Sequence, residues 1–150
     1  MSDSSDAARF VGTWQLLESY SERPSGRAPF PLGAKVIGRI NYDSAGNMAA
    51  QLMGENRAPF SSRDPREVTD AEYRDAFQTY TAYFGTFEVD ADKHTVTHHV
   101  LGATVPNWPG NDQLRFYELD GDRLILRTPP MRLDLSDTPS ASLRSASSRL

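Results

Sequence analysis

The sequence predicts a mainly β protein, an eight-stranded antiparallel β-barrel with one α-helix. Three observations carry this. Apolar and polar residues alternate through a series of short runs, the pattern of strands with one face turned inward. Turn residues separate the runs, and ten Pro and ten Gly suit short strands better than a helical bundle. The runs follow in hairpin order, and such a meander hides its edges best by closing on itself.

Residues 1–9 read as a disordered lead, and 10–150 as a single domain. The first strand spans Phe10 to Tyr20 and opens on Gly12-Thr13-Trp14. Trp14, Leu16, Glu18 and Tyr20 share one parity. Gly12 admits a close backbone approach, and Trp14 is large enough to floor one end of a small barrel. Ser21 to Gly33 is a long loop that is either a flap over an opening or a surface connection. Lys35 to Asn41 and Met48 to Met53 form a hairpin around Asp43-Ser44-Ala45-Gly46-Asn47. Gly54 to Arg66 is irregular.

Thr69-Asp70-Ala71-Glu72 is a capping box that starts the helix. Tyr73, Ala76, Phe77, Tyr80, Tyr83 and Phe84 follow at helical spacing, with Gly85 as the C-terminal cap. This stripe is expected to pack over one end of the barrel. Strands resume over Gly85 to Asp90 and His94 to Leu101. A loop from Gly102 to Asn111 carries Trp108, and Gln113–Leu119 pairs with Asp122–Thr128 around Asp120-Gly121. Met131 to Leu135 reads as a short strand, and 138–150 as either a closing strand or a loose tail. A weak last strand would leave an edge exposed and favour a homodimer.

Composition excludes several function classes. A net charge of −4 argues against a nucleic-acid partner. No apolar run is long enough to cross a membrane. There is no cysteine, hence no disulfide and no thiolate chemistry. The polar, acidic N-terminal stretch is the opposite of a signal peptide, and the expected location is cytoplasmic.

Several stretches resemble the lipocalin-like domain proteins of bacteria and fungi. They are Phe10-Val11-Gly12-Thr13-Trp14-Gln15-Leu16, Gly38 to Met48, Tyr83 to Val89, Thr95 to Val100 and Pro106-Asn107-Trp108-Pro109-Gly110. Gln113 to Tyr117 followed by Gly121 to Leu126 continues the match in the family's order. The resemblance implies a calycin-type barrel around a cavity. Some relatives belong to natural-product pathways (secondary metabolism), where other lipocalin-type barrels act as cyclases or isomerases. The family's closing strand carries Trp-x-Arg, whose Arg is expected to stack on the opening Trp. Here the place reads Ser147-Ser148-Arg149, so Arg149 is implied to lie across Trp14, with Arg144 as the substitute in another register.

With Trp14 inward, parity turns Glu18 inward, and His98 together with Val96 and Val100. The resemblance implies that Arg115 and Tyr117, and Tyr42 with Ile40, point inward as well. The ligand-binding set is therefore Trp14, Tyr42, Tyr83, His98, Trp108, Arg115 and Tyr117, in an apolar interior with few polar groups. In a catalytic version His98 is general acid or base, Arg115 stabilises an enolate, phenolate or carboxylate, and Glu18 completes the set. The structural version makes Glu18 and Arg115 a buried pair and His98 a satisfied core histidine. No metal site is expected. His98 and His99 point to opposite faces, and His94 and His98 lie too far apart for one ion. No phosphate loop, nucleophile elbow or cofactor motif occurs. Three functions fit. The protein binds a small hydrophobic or amphipathic molecule, or it is a cofactor-free cyclase or isomerase of a polyketide- or terpenoid-like substrate, or its barrel is filled and serves a protein contact.

Overall fold

A computed structural model describes residues 4–23, 26–29, 32, 35–129 and 142–150. Its elements are α1 (Ser4–Phe10), β1 (Gly12–Arg23), β2 (Gly26–Pro29), β3 (Val36–Tyr42), β4 (Asn47–Gly54), α2 (Asp70–Gln78), β5 (Tyr80–Asp90), β6 (Thr95–Ala103), β7 (Asp112–Asp120), β8 (Arg123–Arg127) and β9 (Ser142–Arg149). Eight strands close an antiparallel barrel in the order β1-β3-β4-β5-β6-β7-β8-β9, with β9 returning to β1. The short β2 folds back on the end of β1, with Tyr20 opposite Pro29.

Turn chemistry accounts for the hairpins. Asp43 accepts from the backbone N–H groups of Ala45 and Asn47, and Gly46 takes φ 91° between β3 and β4. Gly121, at φ 57°, turns β7 into β8. The Ser-rich end is barrel wall. β9 pairs with β1 on one side and β8 on the other, so the exposed edge expected to favour a homodimer is covered. The short strand expected over Met131 to Leu135, and Phe30 of the flap, lie outside the described residues.

One end of the barrel is plugged. Ser4–Phe10 is a helix rather than a disordered lead. Phe10, fully buried, meets Tyr42 and Tyr117 edge-on at centroid distances of 5.2 and 4.9 Å. The Tyr117 hydroxyl donates to the Asp6 carboxylate, and Arg9 donates to the Leu119 carbonyl at 3.0 Å. Trp14, also fully buried, donates its indole N–H to the Phe10 carbonyl at 2.8 Å. The Arg149 guanidinium lies 4.3 Å over the Trp14 ring and donates to the carbonyls of Arg9 and Val11. Met48, Val89, Val96 and Leu124 fill the rest of this half.

Helix α2 is shorter than its sequence pattern suggests and does not cover the barrel. Its capping box is as read: Thr69 accepts from the Glu72 N–H, and Glu72 accepts from the Thr69 N–H. The helix ends at Gln78, and Tyr80 to Phe84 join β5, where they pair with β4 and β6. Tyr73 and Phe77 are 43% and 53% exposed, and α2 buries no residue. No helix among the described residues is long and apolar enough to cross a membrane.

Candidate functional site

The half of the barrel away from α1 holds a cavity of about 720 Å³. Alternation along the strands brings Leu16, Leu52, Tyr83 and Leu126 to its wall, and Trp108 joins them from the connection between β6 and β7. Gln113, Arg115, Thr128 and Ser145 supply polar atoms. Trp108 stands edge-on to Tyr83 at 5.8 Å and 85°.

Of the residues expected to bind a ligand, Tyr83, Trp108 and Arg115 line this cavity. Trp14, Tyr42 and Tyr117 point inward but belong to the packed half, against Phe10. Parity tells inside from outside; it does not tell depth along the barrel axis. Glu18 points outward, contrary to expectation. Leu16 pairs with Ser147 and Glu18 with Ala146, so Leu17 is an extra residue in β1. A bulge of one residue exchanges the faces of everything beyond it. Ser19 therefore lines the cavity, and the half-exposed Glu18 lies 3.6 Å from Arg144 rather than pairing with Arg115.

His98 is fully buried between two hydroxyls. Its Nε2 is 2.8 Å from the Tyr42 hydroxyl and its Nδ1 2.8 Å from the Tyr83 hydroxyl. Burial, helped by the charges of Arg115 and His99, pushes the imidazole down to about 3, so it is neutral near pH 7. Burial raises both tyrosine hydroxyls, and Arg115 partly opposes this. The chain Tyr42–His98–Tyr83 thus runs from the packed half to the cavity wall. The three residues lie far apart in the sequence, and the strand register that joins them is a tertiary property.

Arg115 donates to Gln113 Oε1 at 2.7 Å and to the Leu114 carbonyl at 2.9 Å. Among the described residues it has no carboxylate partner. Gln113 has no mark in the sequence beyond sharing the parity of Arg115. His99 faces outward and bridges Asp112 at 2.6 Å and Glu88 at 3.0 Å, which raise its pKa. His94 stacks on Tyr117 at 5.5 Å. Among the described residues no three His, Asp or Glu side chains converge to hold a metal.

A family model described as lipocalin-like domain matches residues 11–145, from the start of β1 into β9. The chain belongs to the lipocalin-like domain family. A solved structure of a lipocalin-like protein from Bacteroides uniformis is 13% identical, with 95% of this chain and 99% of that chain covered at a TM-score of 0.49. No curated protein matches the chain. In this lipocalin-like barrel the opening Gly12-Thr13-Trp14 stretch belongs to the plug, and residues further along β1 and on the other strands line the cavity.

Proposed function

We propose that the protein binds a small hydrophobic or amphipathic molecule in the barrel cavity. The observation that carries this reading is the cavity itself. Its volume of about 720 Å³ lies within the range of small-ligand pockets, and its walls are mainly apolar, with polar groups that include Arg39, Asp112, Gln113, Arg115 and Arg144. The lipocalin-like fold supports a ligand inside the barrel. Native mass spectrometry of the purified protein, after exposure to an extract of its host, tests the reading. A retained species of defined mass is the expected result. No retained species, together with no uptake of an apolar dye, overturns it in favour of a protein contact.

A second reading is a cofactor-free cyclase or isomerase acting on a polyketide- or terpenoid-like substrate. It rests on the Tyr42–His98–Tyr83 chain, which backs a cavity-lining tyrosine with an imidazole. A barrel wall can also hold a reactive conformer. Under this reading, His98→Ala and Arg115→Ala lose turnover of the retained molecule while still folding. Full turnover in both variants removes the reading and leaves the binder.

A further inference from the structure

We propose that Tyr83 and Arg115 form an oxygen-recognising pole, with Tyr83 held as a hydrogen-bond donor toward the cavity, and that the bound molecule presents a carbonyl-type oxygen to it. The proposal rests on the binding reading above and adds the chemical class of the ligand.

A neutral imidazole has one N–H donor and one bare nitrogen acceptor. His98 is neutral, fully buried, and bonded at both nitrogens to tyrosine hydroxyls. Two arrangements satisfy those two contacts. In one, Tyr42 donates to Nε2 and the Nδ1–H donates to the Tyr83 oxygen. In the other, Tyr83 donates to Nδ1 and the Nε2–H donates to the Tyr42 oxygen.

The surroundings of Tyr42 decide between them. Tyr42 is buried in the packed half, against the rings of Phe10 and Phe87. Among the described residues its hydroxyl has no hydrogen-bond partner except His98. The second arrangement would strand the Tyr42 O–H without an acceptor, and buried donors are rarely left so. The first arrangement holds. Nδ1 carries the proton and gives it to the Tyr83 oxygen, so the Tyr83 O–H cannot turn back to His98. Tyr83 lines the cavity, whereas Tyr42 does not. Among the described residues its hydroxyl has no partner but His98, so the acceptor it needs is assigned to whatever fills the cavity.

Arg115 adds a second donor group to the same cavity. Its guanidinium is bonded only to neutral oxygens among the described residues, and its charge is felt by Tyr42, Tyr83 and His98. A donor hydroxyl and a cation bonded only to neutral oxygens suit a ligand oxygen that accepts: a ketone, an enolate or a carboxylate. His98 and Tyr42 are positioning residues, because they set the direction of the Tyr83 bond without touching the ligand.

Two measurements test this. Long-range proton–nitrogen NMR on the intact protein near neutral pH reads the His98 tautomer without any ligand. The Nδ1–H form is expected, and the Nε2–H form overturns the proposal whatever the cavity binds. The second measurement uses a propionyl-naphthalene dye, whose emission moves to the red when its ketone accepts a hydrogen bond, beside its propyl analogue without the ketone. Tyr83→Phe is expected to weaken the ketone by about three- to tenfold and to return its emission toward the blue. The propyl analogue is expected to change by less than about twofold. An equal loss for both dyes, or no loss for the ketone, overturns the pole while leaving the binding reading intact. Failure of the native protein to bind either dye overturns both.

Discussion

Gly12 and Arg149 share one small space: a β-carbon at Gly12 would stand 2.8 Å from Nη1 of Arg149. Gly12 also sits at φ 140°, where side chains are strained. The two ends of the barrel wall meet here, because Arg149 on β9 reaches across the start of β1 to lie on Trp14. Gly12→Ala is expected to cost at least about 2 kcal/mol, from backbone strain and the displaced guanidinium. Arg149→Ala is expected to cost a similar ~2 kcal/mol through the lost ring contact and carbonyl bonds. The double variant loses less than the sum, because both changes break one contact. Urea midpoints at unchanged slope measure all three.

The two tryptophans belong to different halves. Trp14 is sealed in the plug, and Trp108 is at the cavity. In Trp14→Phe, an apolar dye is expected to change the remaining indole emission as strongly as in the native protein. In Trp108→Phe that change should nearly vanish. A dye response that survives without Trp108 and disappears without Trp14 would place the ligand at the plug.

Acid should weaken the fold through His98. In the folded state its pKa is about 3, while the unfolded chain has the ordinary value of about 6.5. Between those values the unfolded chain binds a proton that the folded chain refuses. Stability from this group is therefore complete above pH 6.5 and declines as the pH falls, by about 1.4 kcal/mol per unit. His99 acts with the opposite sign. Asp112 and Glu88 raise its pKa, so its contribution is full below the ordinary histidine value and fades as the pH rises through the raised one. Unfolding free energies between about pH 7 and pH 5 should fall less steeply in His98→Gln than in the native protein. Parallel curves would remove His98 as the cause.

Thr69→Ala removes the acceptor for the Glu72 N–H. A lost N-cap costs about 1 kcal/mol. Because α2 buries no residue, the loss should stay local. Amide exchange in α2 is expected to speed up about fivefold while the barrel amides keep their protection.

Much of this fold is visible in the sequence because it is written in short-range signals. The capping box at Thr69 and Glu72, the Asp43–Asn47 turn and the Asp120-Gly121 turn each act over a few residues. The family resemblance extended this to Arg149 over Trp14. Three features were not legible. The bulge at Leu17 leaves no mark in the alternation before it, yet it sends Glu18 outward and Ser19 inward. Tyr80, Tyr83 and Phe84 fit helical spacing, but Tyr83, Phe87 and Val89 also fit a period of two, and pairing with β4 and β6 selects the strand. The Ser-rich end has little strand propensity of its own; β1 and β8 hold it in place on both sides.

The division of the barrel into a packed half and a cavity half has an evolutionary consequence. Phe10, Trp14, Tyr42, Tyr117 and Arg149 hold one end together without touching the cavity. Lining positions such as Leu16, Leu52 and Leu126 can then drift toward a different chemical shape while the plug maintains folding. A library confined to those positions should yield many soluble variants with altered ligand choice, which makes the scaffold a starting point for selection experiments. Variation in the plug would instead be filtered out before any new binding could be expressed.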